Sequence, residues 1–243
     1  MALRFEELDW QATPFGDISL RRRREPTLGV DVHEVLLGDE YLMSSLFTIA
    51  EVELARLGLA ACRGDALDVV VGGLGLGCTA RAALQDERVR ALHVVEALDA
   101  VVGWHERGLL PLSADLTEDP RCTLVTADFF STVGAGVAPA AGPQRWHAVL
   151  LDIDHSPRHV LAPGNAALYE VEGLRRLHGL LHPGGVFALW SDDPPDEDFL
   201  SALRAVFTTA RAHDVWFDNP LTGGRSANTV YVATSSCPAD GED

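Results

Sequence analysis

From residue 67 onward, short runs that are apolar throughout alternate with longer stretches whose apolar residues recur every three or four positions. The short runs fall at about 67–71, 91–95, 123–126, 148–152, 186–190, 215–217 and 229–233. Runs such as DVVV and AVLL have no polar side, so as strands they need cover above and below, the pattern of a mostly parallel sheet. Helical periods intervene near 78–85, 98–107, 165–181 and 197–209. The clearest lines Leu168, Val171, Leu174, Leu177 and Leu181 along one face. The pattern predicts an α/β fold: a Rossmann-like, mostly parallel seven-stranded sheet with helices on both faces.

Residues 1–43 have a different texture. DISLRRRRE and VDVHEVLLG read as short strands around Pro26 and Gly29, and together they predict a small N-terminal β arm. At Ser44 the period becomes helical, with Leu46, Ile49, Ala50, Leu54 and Leu57 on one face, Ser44 or Ser45 as cap and Gly58 or Gly64 as stop. The main domain is therefore expected to span 44–235. The Ala/Gly/Pro-rich stretch 131–144 is expected to be a surface loop and 236–243 a frayed tail.

Charge narrows the range of partners. The 243 residues carry a formal net charge of -17, from 36 acidic and 19 basic residues, and every basic residue is an arginine. Such a surface repels nucleic acid and anionic membranes and suits a small cationic substrate, although solubility alone also accounts for it. Arg21 to Arg24 read as a half-exposed strand or as intrachain ion-pair partners, because acidic residues balance the basic ones in this region. Cys62, Cys78, Cys122 and Cys237 show no CxxC spacing, and the histidines form no HExxH pair, so no metal is expected. The N-terminus lacks signal-peptide character and no apolar run reaches membrane-spanning length, which predicts a cytoplasmic protein.

The segment LDVVVGGLGLGCTARAAL carries the most chemistry. A buried strand ends at Val71, glycines stand at 72, 73, 75 and 77, and a helix starts near Cys78. Glycines permit a tight turn and a close backbone approach, and the free N–H groups of the helix start face a nucleotide-like ligand. The next strand ends in Glu96, placed to accept from two ribose hydroxyls, or else to cap the following helix. The third leads to Asp128, where an acceptor can meet the adenine amino group, with Phe129 and Phe130 as ring wall or core. The fourth ends at Asp152. If that strand persists, Asp152 and Asp154 point the same way and border the cleft. A carboxylate there can hold an ammonium group and accept its proton as the amine attacks; capping or water binding is the alternative. His155 and His159 are alternative bases. Asp192 and Asp193 are accounted for by the helix N-terminus that follows them. Tyr41 and Trp190 either close the cleft or pack. The spacing from the glycine turn to Glu96 and Asp128 suits an S-adenosyl ligand better than a nicotinamide cofactor.

The order VVVGGLGLGCTAR, HVVEALDAVV, TADFF, HAVLLDIDHSP and LHPGGVFALW resembles the spermidine synthase (polyamine aminopropyltransferase) family, within the methyltransferase-like Rossmann fold, over about 38–233. The resemblance implies decarboxylated S-adenosylmethionine as donor, a small amine as acceptor and a homodimer. It assigns Gly73, Gly75 and Gly77 to the donor turn, Glu96 to the ribose, Asp128 to the adenine and Asp152 to proton acceptance; Asp154 and Tyr41, from their own positions, are the further candidates for the acceptor. Leu76 stands where the family has an aspartate that contacts the donor amine, DIDHSP is out of frame with the family's DxxDP, and YLMSSLFTIAE offers no counterpart to its glutamine and histidine-glutamate pair. These departures leave open a small-molecule methyltransferase using S-adenosylmethionine, a catalytically silent homologue with a binding role, and a nicotinamide enzyme.

Overall fold

The computed structural model describes residues 5–134 and 142–236. The chain opens with four strands, β1 Phe5–Thr13, β2 Gly16–Glu25, β3 Val30–Leu37 and β4 Glu40–Ser44, each antiparallel to the next. In β2, Ile18 and Leu20 are buried, while the arginines of the second half reach acids on the neighbouring strands. Arg22 pairs with Glu6, Arg24 with Asp31, and Arg23 with both Glu25 and Glu34. Three of the four arginines are thus spent on ion pairs within the chain, and Arg21 lies over the Phe5 ring.

Helix α1, Ile49–Ala60, follows, later than its sequence period suggested. Ser44 ends β4, and its hydroxyl accepts the Leu46 N–H; Ser45 accepts from His33. The side chain of Thr48, the residue before the helix, makes no capping bond. Nor does Gly58 stop the helix. A Cβ there would lie 2.6 Å from a Leu150 methyl and 3.1 Å from Ala188, so the glycine instead lets α1 press flat on the sheet.

The rest alternates: β5 Leu67–Gly72, α2 Cys78–Leu84, β6 Val89–Glu96, α3 Asp99–Glu106, α4 Ser113–Thr117, β7 Cys122–Thr126, α5 Phe129–Gly134, β8 Trp146–Leu151, a 3₁₀ turn Pro163–Leu168, α6 Val171–Gly179, β9 Leu181–Ser191, α7 Glu197–Arg204, β10 Thr209–Asn219 and β11 Gly224–Thr234. The continuous helix expected over 165–181 is broken at Tyr169 and Glu170, and Leu181 belongs to β9. The reason is local: Gly173 packs so tightly on the 3₁₀ turn that a Cβ would lie 2.1 Å from the Ala167 carbonyl. Of the loop expected over 131–144, residues 131–134 belong to α5. Residues 135–141, and the tail from 237 on with Cys237, lie outside the described residues.

The large sheet has seven strands in the order β10-β11-β9-β8-β5-β6-β7. β9, β8, β5, β6 and β7 run parallel, and β11 is antiparallel to both β9 and β10. Side chains of β5 alternate between two cores, as continuous apolar strands require. Val69 and Val71 join the core that contains Leu54 and Leu59 of α1; Val70 joins the one with Leu174 and Leu177 of α6 and Leu203 of α7. The chain leaves β5 toward β6 on one side and returns through β8 on the other. The C-terminal ends of β5 and β8 therefore flank the switch point where open α/β sheets bind ligands.

Asp9 of β1 ties the small sheet to the large one. Its carboxylate accepts from Trp104 Nε1 at 2.7 Å and from Arg107, both on or just after α3. The Arg107 bond is the main reason its pKa falls to about 2. The folded pKa lies below the unfolded one, so this stabilisation is complete above about pH 4 and is lost as pH falls toward about 2. Asp9→Asn, which keeps one acceptor oxygen but removes the charge that Arg107 pairs with, is expected to cost on the order of 1 kcal/mol at pH 7 and to flatten the acid limb below pH 4. Urea denaturation across pH measures both.

Candidate functional site

The glycine turn connects β5 to α2, and its geometry leaves no room for a side chain at its first step. Gly73 has φ +94°, and a Cβ there would lie 2.0 Å from the Asp152 carbonyl oxygen. The ends of β5 and β8 are held together at this point: Asp152 N–H donates to the Gly72 carbonyl at 2.8 Å, and Gly73 N–H to the Val95 carbonyl at 2.9 Å. Gly75 and Gly77 also have positive φ, +47° and +89°. Met43 of β4 lies over Gly75, where a Cβ would come within 2.9 Å of its sulfur, so the small sheet roofs the turn.

Glu96, at the tip of β6, holds the turn from the side. Its Oε2 accepts the Leu74 N–H at 3.0 Å and its Oε1 the Leu98 N–H at 2.9 Å. Burial raises its pKa against the pull of these amide donors. The amides of Gly75 and Ala97 act on the same carboxylate, so Glu96 organises the turn through four main-chain donors. Asp128, exposed at the tip of β7, accepts the Phe130 N–H at 2.9 Å at the start of α5, which leaves its other oxygen free of that bond. Phe129 is core, packed against the Gly72 position. Phe130 is half-buried, edge-on to Phe129 and Tyr169.

The two carboxylates after β8 do not act together. The strand ends at Leu151, and the alternation expected to aim Asp152 and Asp154 the same way ends with it. Asp154 is 1% exposed and saturated: Leu161 N–H and Asn165 Nδ2 donate to Oδ1, and the Tyr169 hydroxyl donates to Oδ2 at 2.7 Å. It latches the segment between β8 and α6, which corrects the expectation that it faces the cleft. Asp152 accepts from the Thr79 hydroxyl at 2.6 Å, and burial lifts its pKa to about 6. Tyr41 is corrected as well: its hydroxyl donates to Glu34 at 2.9 Å, within the ion-pair network of the small sheet. Trp190 packs against the core beside α1.

A residue that the sequence reading passed over completes the site. Glu51, in the first turn of α1, lies close enough to Asp152 and Asp192 for their charges to act on it. Burial first, then the Asp152 charge, raises its pKa to about 8, and its Oε2 has no partner among the described residues. Thr79 on α2 links the two acids, its hydroxyl bonded to Asp152 and 3.4 Å from the Glu51 carbonyl. The signal was in the periodicity: Glu51 falls three, four and seven positions before Leu54, Ala55 and Gly58, the face α1 buries. Asp192 accepts from Asn228 and Asp193 pairs with His159, so neither caps α7; Asp196 does, accepting from the amides of Asp198 and Phe199. Asp192 also lines a groove of about 590 Å³ with Glu40, His155, His159 and Asp193. Arg158 lines the same groove.

No family model matches the chain. It is 28% identical over 156 residues to polyamine aminopropyltransferase 2 of Pseudomonas aeruginosa, covering 60% of this chain and 41% of that protein. It is 25% identical over 192 residues to the polyamine aminopropyltransferase of Pyrobaculum islandicum, covering 76% and 64%. The chain thus spans less than two thirds of the length of these relatives. The structure of spermidine synthase from Thermotoga maritima superposes with a TM-score of 0.69 at 18% identity, covering 95% of this chain and 72% of that one. Human methyltransferase-like protein 13, in complex with SAH, gives 0.59 at 17%, covering 80% and 85%. The fold is the methyltransferase-like Rossmann fold. Within that class, both of these sequence relatives are polyamine aminopropyltransferases, to which this chain is similar.

Two substitutions test the geometry. Gly73→Ala is expected to cost at least about 2 kcal/mol, from left-handed backbone strain plus the clash with Asp152, as read by thermal unfolding. Asp154→Asn keeps the size but not the charge. It is expected to destabilise by about 1–3 kcal/mol through weakened buried bonds, with little effect on ligand affinity if Asp154 is only a latch.

Proposed function

We propose that the protein transfers an aminopropyl group from decarboxylated S-adenosylmethionine to a small cationic amine. The observation that carries this reading is the half-buried acid pair, Glu51 and Asp152, set beside the glycine turn. Two carboxylates removed from water are costly unless they share a proton or hold a cation. Burial raises the proton affinity of both acids, and the charge of Asp152 raises that of Glu51 further. An ammonium group satisfies the same site.

In this reading Gly73, Gly75 and Gly77 admit the donor, Glu96 takes its ribose hydroxyls and Asp128 its adenine edge. The acceptor enters past Asp192, and Asp152 takes its proton. The lone pair of the resulting amine attacks the aminopropyl carbon next to the sulfonium. The carbon–sulfur bond breaks, its electron pair stays on sulfur, and neutral methylthioadenosine leaves. Holding nucleophile and electrophile in line supplies much of the rate. Assembly as a homodimer, cytoplasmic location and indifference to nucleic acid belong to the same proposal, supported by the similarity to polyamine aminopropyltransferases and by the acidic composition.

Calorimetry with decarboxylated S-adenosylmethionine, methylthioadenosine, S-adenosylmethionine and NAD tests the donor. Tightest binding of the first two is expected. Preference for the carboxylated donor would overturn aminopropyl transfer in favour of methyl transfer, and binding of none would remove the enzyme reading.

Asp152→Asn is expected to lower turnover at least about tenfold with donor affinity nearly unchanged. For the wild type, the rate should fall as pH drops through about 6, because protonated Asp152 accepts nothing. Amine binding at pH 7 should also release protons, since a cation beside the pair lowers both pKa values. Titrations in buffers of different ionisation enthalpy read this release, and Glu51→Gln should diminish it.

A further inference from the structure

At the opposite ends of the same strands, three side chains far apart in sequence come together. Asp68, His147 and His182 are each the second residue of a strand, in β5, β8 and β9, and these three strands are neighbours. The pairings Val69↔Ala148 and Trp146↔Leu181 bring the three to one level and one face of the sheet. One ligand atom from each lies within 4.8 Å of the others. Nδ1 of His147 stands 3.8 Å from Asp68 Oδ2, and the two imidazole centroids are 4.4 Å apart. The histidines that show no ligand spacing along the chain are thus paired by strand register.

We propose that Asp68, His147 and His182 bind a divalent transition ion of the Zn²⁺, Co²⁺ or Ni²⁺ class. Two imidazole nitrogens and one carboxylate oxygen are the donors such ions prefer, whereas Mg²⁺ and Ca²⁺ favour all-oxygen shells. Metal–nitrogen bonds of about 2.0–2.1 Å at a tetrahedral angle put two imidazoles of one ion about 5 Å apart, centre to centre, so the rings have to spread from their 4.4 Å separation. Three protein ligands leave a fourth position for water.

The ion must displace two existing contacts. Arg90 holds both Asp68 oxygens from an exposed position, with 63% of its side chain open to solvent, and the Asp68 N–H donates to His147 Nδ1 at 3.0 Å. Arg90 therefore supplies the positive charge that the ion would replace, and it has open water to move into. This competition gives the site a signature of opposite signs. Loss of a histidine weakens binding, whereas loss of the arginine strengthens it. The site lies at the N-terminal rim of the sheet, away from the glycine turn at the C-terminal ends of the strands, so its occupancy ties three strands together without entering the transfer reaction.

The test uses the full, tag-free chain, treated with chelator and titrated with ZnCl₂ by calorimetry and with CoCl₂ by visible absorption. One equivalent is expected to bind, with a rise in melting temperature. His182→Ala and His147→Gln should each weaken that equivalent by at least about tenfold, while Arg90→Gln should tighten it several-fold; circular dichroism confirms that each variant is folded. Absence of a one-to-one site in the wild type, or an affinity unchanged in both histidine variants, would overturn the proposal. Because metal affinity is measured without donor or amine, its failure leaves the transferase reading untouched, and the reverse holds too.

Discussion

The structure turns on the contact between the first step of the glycine turn and the end of β8. Where Gly73 meets the Asp152 carbonyl, two parallel strands come closer than any residue with a Cβ allows. That approach brings the Asp152 side chain beside the start of α2, where the Thr79 hydroxyl holds it. It also aligns the tips of β5, β6 and β8, so Glu96 can clamp the turn from one side while Met43 covers it from above. Main-chain amides at the turn are thus presented by tertiary contacts as much as by the local freedom of glycine.

The acid pair depends on the same packing at one remove. Gly58 lets α1 lie against Leu150 and Ala188, and this carries Glu51 down into the sheet instead of out to water. A helix that stood off the sheet by the width of a methyl group would leave the Glu51 carboxyl solvated, with an ordinary affinity for protons. Pressed down, its affinity for protons rises, as does that of Asp152, chiefly through burial. Desolvation and mutual repulsion thus prepare the site for a cation, since either strain is relieved when positive charge arrives.

The sheet presents chemistry at both ends by a single rule. Residues that follow equivalent positions in adjacent parallel strands stand side by side, whatever their separation along the chain. At the C-terminal ends this assembles Glu96, Asp152 and the glycine turn; at the N-terminal ends it assembles Asp68, His147 and His182. The two sets differ in chemistry: the first combines carboxylates with main-chain amides, the second a carboxylate with two imidazoles.

The pattern of apolar runs was enough to predict the α/β architecture, the order of the strands along the chain and the place of the glycine turn, because burial on both faces and positive φ each leave a local mark on residue type. Gly73, Glu96, Asp128 and Asp152 were legible for the same reason: each follows the end of a recognisable strand. Only the tertiary structure decided what touches what. Asp154 is spent on Leu161, Asn165 and Tyr169 because the strand ends before it; Tyr41 is spent on Glu34; and α1 starts later than its period suggests because Ser44 and Ser45 serve the small sheet. Glu51, and the meeting of His147 with His182, depend on how a helix docks and how strands register. Those are set by contacts between segments distant in sequence, and a one-dimensional pattern of residue types does not encode them directly.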